Sequence, residues 1–196
     1  TYDAIRPPRS HLMPPILLLR FAAALALLAA AHPLRAAWSP PDAAQLARLD
    51  RALASSNAQY DPAAQMIRRP FSSPGYHTTL KGGFVHPTRD SLAYALGLLD
   101  TGRPADLARA TDVIRRVVAL QDPNPASKTH GIWSWFLEEP LEKMSPPDWN
   151  WADFNGVTLL QIARDHRARL PAEVARAVDD AIGHACRAIK KRNVGP

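Results

Sequence analysis

Two stretches of this sequence begin with the same pattern of seven residues, and this repetition limits the chain to folds built from repeated helices. Residues 104–110, PADLARA, align with residues 171–177, PAEVARA, at an offset of 67 positions. Proline followed by an acidic residue is a common first turn of a helix, so helix-start chemistry alone is an alternative explanation. Both stretches also follow a helical segment and a short turn. The repetition therefore predicts a helical repeat whose unit is an αα-hairpin.

Hydrophobic spacing predicts five helices in the chain. Their apolar side chains recur three or four positions apart, and Pro, Thr or Asp stands at or just before most of their starts. The last four form two hairpins, so we predict an all-α fold. The predicted helices cover residues 41–55, 88–99, 104–120, 149–166 and 171–191, and the buried positions predicted for the fourth are Phe154, Val157, Leu159, Leu160 and Ile162.

Residues 57–87, between the first two predicted helices, show no sustained hydrophobic period. They are rich in Pro, Ser and Gly and include the aromatic side chains Tyr60, Phe71, Tyr76 and His77. A loop this long inside a compact domain is usually functional or poorly ordered. We therefore expect this loop to form one wall of a cleft.

Residues 131–154 contain four of the five tryptophans together with several acids. Flat indole faces cover the apolar faces of sugars, while carboxylates and amides bind sugar hydroxyl groups. This composition indicates a sugar-binding cleft. The alternative is that the indoles fill the space between hairpins, and we expect this for at least two of them.

Several features together resemble the N-terminal part of a secreted (α/α)-toroid protein, the architecture of many polysaccharide lyases and glycoside hydrolases. They are the hairpin spacing, an apolar N-terminal segment, and the segments GIWSWFLEEP and PPDWNWADF before an inward-facing helix. The resemblance covers about residues 88–193 and lies in architecture more than in motifs. It implies a partial (α/α)-toroid, because such proteins contain more hairpins than the two predicted here. We therefore expect residues 37–196 to form an incomplete α-helical hairpin domain of a truncated chain.

The resemblance implies a carbohydrate-active protein that degrades or binds a polysaccharide or oligosaccharide. Glycoside hydrolysis needs two facing carboxylates, whereas a lyase needs a base and a group that neutralises the substrate's carboxylate. The alternative is a helical-repeat scaffold that binds a protein or cell-envelope partner without catalysis. The catalytic candidates are Glu138, Asp148, Asp153 and His130, and the substrate-binding candidates are Trp133, Trp135, Trp149, Trp151, Asn150, Asn155 and Arg89.

Each catalytic candidate also has a structural role open to it. Asp153 lies in the first turn of a predicted helix, where a carboxylate favourably meets the helix dipole. Asp148 follows two prolines and is suited to cap the same helix. Glu138 is one of two adjacent glutamates, of which one is expected to face solvent, and an isolated histidine such as His130 is commonly structural.

The N-terminal sequence predicts export of the protein. Counting Met13 as the initiator, an apolar run over residues 16–31 precedes small residues near position 36, as in a secretory signal peptide. We therefore expect a secreted or periplasmic protein. The alternative is a membrane anchor formed by residues 16–31, although its uninterrupted apolar part is shorter than the ~20 residues of a typical span.

Charge and motifs exclude several other classes of function. The full chain has a net charge of +6, but residues 37–196 contain 20 basic and 17 acidic side chains, a net charge of +3. This balance does not indicate a nucleic-acid partner. Because HExxH, CxxC, GxGxxG and P-loop motifs are absent from the sequence, we expect no metal or nucleotide cofactor. The single cysteine, Cys186, is expected to be a small core residue.

Overall fold

Helices are the main elements of the structure, a computed structural model that describes residues 38–193. The helix ends differ from those predicted by at most four residues, because local periodicity and capping determine them. The α-helices in these residues are α1 Ala43–Gln59, α2 Thr88–Thr101, α3 Pro104–Val118, α4 Asn150–His166 and α5 Ala172–Asn193. The strands are β1 Tyr60–Asp61, β2 Met66–Ile67, β3 Arg69–Ser72 and β4 Gly82–Val85.

The turn between α2 and α3 depends on a glycine. Gly102 ends α2 in the left-handed conformation, with φ of 75°. A Cβ atom at this position would lie 2.7 Å from the ring of Trp38. Glycine alone meets both requirements, and Pro104 then begins α3 with its φ already suited to a helix. The result is a short connection that brings the two helices into an antiparallel pair.

The helices pack as two pairs placed side by side. α2 packs against α3 and α4 against α5, while α2 also contacts α4 and α3 contacts α5. Asn155 of α4 bonds Thr88 at the start of α2, and His166 of α4 bonds Asp100 near the end of α2. The two helices therefore run parallel. Between the pairs lies a core of fully buried apolar side chains, which include Leu92, Leu98, Leu99, Ile114, Trp133, Leu159 and Ile162.

The prediction of an all-α fold is wrong, because residues 60–85 form two small antiparallel sheets and the fold is mixed α/β. Tyr60 pairs with Ile67 in the first sheet. In the second, Arg69 pairs with Val85 and Ser72 with Gly82. Strands of two to four residues are too short to produce a recognisable alternation, and this is why the sequence predicts only a loop here.

The predicted buried face of α4 is wrong at three positions. Phe154, Val157 and Leu160 are 37%, 56% and 55% exposed. Leu159 and Ile162 are fully buried, as predicted. Both sides of this helix are apolar enough to be predicted as buried. The positions of α2 and α5 determine which side is covered.

Cys186 is exposed on α5, so its assignment to the core is wrong. No helix within residues 38–193 has the length and apolar character needed to cross a membrane. The predicted signal peptide and the alternative anchor lie outside the described residues.

Candidate functional site

A continuous row of aromatic rings, the aromatic row, joins the β3–β4 connection to the start of α4. It consists of Tyr76, His77, Trp135, Trp151 and Phe154. Trp135 stacks on Trp151 with ring centroids 4.9 Å apart and an interplanar angle of 28°. Tyr76 meets the other end of Trp135 edge-on at 6.1 Å, and Phe154 meets Trp151 edge-on at 5.4 Å. These geometries are those that aromatic pairs prefer.

Exposure changes along the aromatic row. Tyr76 at one end is 59% exposed, and Phe154 at the other end is 37% exposed. Trp135 in the middle is only 8% exposed, while Trp151 is half-buried. The parts of the row that a ligand can contact are therefore its two ends and part of Trp151. Trp135 is buried and contacts the rings of Tyr76, His77 and Trp151.

Thr88, the first residue of α2, holds the central part of the row in place. Its hydroxyl accepts hydrogen bonds from Trp151 Nε1 at 3.0 Å and from Asn155 Nδ2 at 3.4 Å. The same hydroxyl donates to the carbonyl oxygen of Ser134 at 2.9 Å. Thr88 is fully buried, so each of these bonds forms away from water, where its loss is costly. No local sequence pattern indicates this residue, because its partners lie more than 45 positions away.

The connection between β3 and β4, residues 73–81, covers one side of the row. Thr79 donates to Glu139 Oε1 through both its backbone N and its Oγ1, each at 2.6 Å. His77 Nδ1 lies 2.7 Å from the carbonyl oxygen of Pro146. The prediction that residues 57–87 form one wall of a cleft stays a prediction; within this range, residues 73–81 contact the segment that contains Glu139 and Pro146.

Arg89 lies at the Phe154 end of the row. Its guanidinium carbon is 4.2 Å from the centroid of the Phe154 ring, a cation–π distance. The side chain is exposed and makes no ion pair within residues 38–193. Its charge is therefore available to an acidic ligand bound at this end.

The three carboxylates expected to be catalytic have different surroundings. Asp148 is buried, and its two oxygens accept from Trp135 Nε1 at 3.2 Å and from the backbone N of Asn150 at 2.9 Å. It therefore fixes the Trp135 ring and accepts the backbone N–H of Asn150, the first residue of α4, although the N-cap position itself is Trp149 and not Asp148 as the sequence suggested. Asp153 is exposed in the first turn of α4.

Glu138 is bound to His86 rather than to the aromatic row. Its Oε1 lies 2.5 Å from His86 Nδ1, and Asp61 Oδ2 lies 3.1 Å from His86 Nε2. The hydrogen bond from His86 lowers the pKa of Asp61 below its usual value, and backbone N–H groups of Ala63 and Ala64 lower it further.

The remaining candidates divide between the core and other contacts. Trp133 is fully buried and donates to the carbonyl oxygen of Val117 at 2.9 Å, so it cannot bind a substrate. Trp149 is half-buried and packs against the core. His130 lies against His184 of α5, and Asn150 accepts from Arg192 at 3.5 Å. Of the predicted residues, the structure brings together Trp135, Trp151, Asp148, Asn155 and Arg89.

Two buried polar atoms beside the site have no hydrogen-bond partner in the part of the chain that the structure describes. They are Oε2 of Glu139 and Oδ1 of Asn155, both on fully buried residues. Unpaired buried oxygens are rare because removing a polar atom from water costs free energy, and without a hydrogen bond nothing offsets that cost. Residues 38–193 contain no group of three or more His, Cys, Asp or Glu placed to bind a metal ion.

The sequence of the chain matches the model of a protein family. The sequence model of a family described as a domain of unknown function (DUF8769) matches residues 48–196. No curated protein and no solved structure matches the chain. The matched region includes most of α1, all later helices, both sheets and the whole aromatic row. Because the match covers well over half of the sequence, the chain belongs to the DUF8769 family.

Proposed function

We propose that this protein binds a polysaccharide or oligosaccharide along the aromatic row. The observation that carries the proposal is a row of aromatic rings in contact, centred on the stacked pair Trp135 and Trp151, whose ends, Tyr76 and Phe154, are exposed. A single exposed aromatic side chain is ordinary on a protein surface, but an ordered row fixed by buried hydrogen bonds is not. Exposed aromatic rings cover the apolar faces of sugar rings, and neighbouring polar groups bind their hydroxyls.

The surroundings of the carboxylates favour binding over hydrolysis. Glycoside hydrolysis needs one carboxyl group to protonate the leaving oxygen and a second to attack or to activate water. Asp148 uses both oxygens within the protein, and Glu138 is held by His86. Arg89 adds a positive charge at the Phe154 end, so an acidic saccharide is a suitable probe alongside a neutral one.

Titration with saccharides tests this proposal. We expect cellohexaose or oligogalacturonate to change the tryptophan fluorescence of the protein and to give a measurable heat of binding. Tyr76→Ala and Phe154→Ala each remove one exposed ring, and each should weaken binding. A stacking interaction of about 0.5–1.5 kcal/mol corresponds to about a two- to ten-fold loss of affinity.

Phe84 supplies the matched control. It is 55% exposed, close to the 59% of Tyr76, but it contacts Arg68 and belongs to β4 outside the aromatic row. Phe84→Ala should therefore leave the affinity unchanged. Equal losses in all three variants, or no binding of either saccharide by the wild-type protein, would contradict the proposal.

The alternative of a scaffold without catalysis has one observation in its favour. Val157 and Leu160 of α4 are more than half exposed, although they are large apolar side chains. Contiguous exposed apolar surface is common where a protein binds another protein. A protein partner would bind the exposed side chains in the middle of α4, whereas a saccharide would bind the aromatic row.

A further inference from the structure

His77 has an unusual backbone conformation within the aromatic row. Its φ is 57°, in the left-handed region that glycine adopts readily and other residues adopt rarely. Such conformations persist only where surrounding contacts hold them, and they are concentrated at functional sites. The contacts here are the ring of Trp135, with centroids 5.6 Å apart, and the ring of Tyr76 at 5.5 Å.

The hydrogen bond to Pro146 determines which nitrogen of His77 carries the proton. A carbonyl oxygen can only accept, so Nδ1, 2.7 Å from the Pro146 oxygen, must be the donor. In the neutral imidazole, Nε2 is then unprotonated and carries a lone pair. Nε2 has no hydrogen-bond partner within residues 38–193. The side chain is only partly buried.

The indole and threonine donors near His77 are used by other groups. Trp135 gives its indole N–H to Asp148, and Trp151 gives its indole N–H to Thr88. Thr79 gives both of its donors to Glu139. Aromatic rings and the acceptor nitrogen of the partly buried His77 therefore lie side by side, a combination that suits a molecule with an apolar face and a hydroxyl group at its edge.

The geometry points to His77 as the hydrogen-bond acceptor of the saccharide site. A sugar ring placed against Tyr76 donates one hydroxyl to Nε2 of the neutral imidazole, and the hydrogen bond to Pro146 selects the tautomer in which that nitrogen is the acceptor. The assignment rests on the proposed function. It adds the residue that orients the sugar, which stacking alone leaves free to rotate.

Two substitutions distinguish the roles of the two ring nitrogens of His77. His77→Asn keeps a donor at the position of Nδ1 and removes the acceptor at Nε2, and asparagine tolerates the left-handed conformation. His77→Gln places its amide group at the position of Nε2 but loses the donor to Pro146. We expect the asparagine variant to bind saccharide about two- to ten-fold more weakly, the effect of one hydrogen bond. The glutamine variant should retain more affinity than the asparagine variant.

Nitrogen-15 NMR of the histidine rings tests the tautomer without any ligand. In the neutral ring of His77 we expect Nδ1 to be protonated and Nε2 to be unprotonated, and we expect the Nε2 chemical shift to change on adding cellohexaose or oligogalacturonate. A proton on Nε2 of the neutral ring would overturn the assignment. Hydrogen exchange of residues 73–81 shows whether the asparagine variant keeps the loop in place.

The outcomes distinguish this assignment from the proposed function. Saccharide binding that persists unchanged in His77→Asn would overturn the role of His77 and leave saccharide binding intact. Absence of binding by the wild-type protein would overturn the proposed function and, with it, the ligand assigned to His77. Weaker binding by the asparagine variant, with normal exchange of residues 73–81, would support the assignment.

Discussion

At the scale of single residues, His130 shows how a catalytic candidate can be fully engaged elsewhere. His184 Nδ1 lies 2.8 Å from His130 Nε2 and 2.9 Å from Arg187 Nη2. A guanidinium only donates, so His184 Nδ1 must accept, and His130 Nε2 must donate to it. Burial lowers the pKa of His184 below its usual value, and the charges of Arg187 and His130 lower it further.

This arrangement predicts a loss of stability at acidic pH. Because the pKa of His184 is lower in the folded protein than in the unfolded chain, the unfolded chain binds the proton more readily. The contribution of His184 is therefore fully present above about pH 6.5 and decreases as pH falls through the folded pKa. Chemical denaturation at a series of pH values measures it as a fall in the free energy of unfolding.

His184→Asn provides the comparison for this prediction. The amide oxygen of asparagine can accept from His130 and Arg187 at the position of Nδ1, but it does not titrate in this range. The variant should lose less stability than the wild-type protein below about pH 6.5. Identical pH dependence in the two proteins would show that His184 contributes nothing.

At the scale of elements, the β3–β4 connection is held to the tryptophan-rich segment by few polar contacts. The strongest is the pair of bonds from Thr79 to Glu139, a fully buried carboxylate. Glu139 Oε2 has no partner in the described residues, so these bonds are the ones that offset the cost of burying the group. The position of Tyr76 and His77 beside Trp135 depends on this attachment.

Substitution of Thr79 tests the attachment. Thr79→Val keeps the shape of the side chain but removes the hydroxyl that donates to Glu139. We expect the free energy of unfolding to fall by about 1.5–3 kcal/mol, the range for hydrogen bonds to charged groups. Hydrogen exchange in residues 73–81 should become faster.

Thr79→Ser keeps the hydroxyl and is the matched control. It should stay near the wild-type protein in both stability and exchange. If the valine and serine variants behave alike, the hydroxyl of Thr79 does not hold the connection, and the backbone bond to Glu139 is sufficient.

At the scale of the whole molecule, the two hairpins leave one face of α4 uncovered. Val157 and Leu160 are exposed on this face, whereas Leu159 and Ile162 are buried between α4 and its neighbours. Adjacent leucines at positions 159 and 160 therefore have opposite surroundings. This contrast in burial allows the packing of the helices to be tested with two substitutions.

Leu159→Ala and Leu160→Gln should have different effects on stability. Leu159 is fully buried, so its truncation leaves a cavity and should cost about 2–5 kcal/mol. Leu160 is 55% exposed, and its replacement should change the free energy of unfolding by no more than about 0.5 kcal/mol. Chemical denaturation of the full chain measures both values.

The second variant also separates the two proposed functions. Leu160→Gln should leave saccharide affinity unchanged, because Leu160 lies outside the aromatic row. A large loss of stability in this variant would show that another part of the protein or a second copy covers α4. Loss of saccharide affinity would instead show that the binding surface extends along the helix.

The sequence alone was sufficient for the helices and for the general place of the site. Helix bounds depend on residues three or four positions apart, such as Asp42 and Gln45, whose side-chain and backbone groups cap α1. The concentration of tryptophans in residues 131–154 likewise marks the region that contains Trp135 and Trp151. These features are local, so periodicity, capping and composition predict them without knowledge of the fold.

Only the tertiary structure decided the sheets, the covered face of α4 and the role of each site residue. Trp133 and Trp135 stand two positions apart, yet one belongs to the core and the other to the aromatic row. The hydrogen bond of the His77 ring reaches Pro146, 69 positions away, and that of Trp151 reaches Thr88, 63 positions away. Contacts of this kind form only when distant segments pack together, and for that reason no local pattern predicts them.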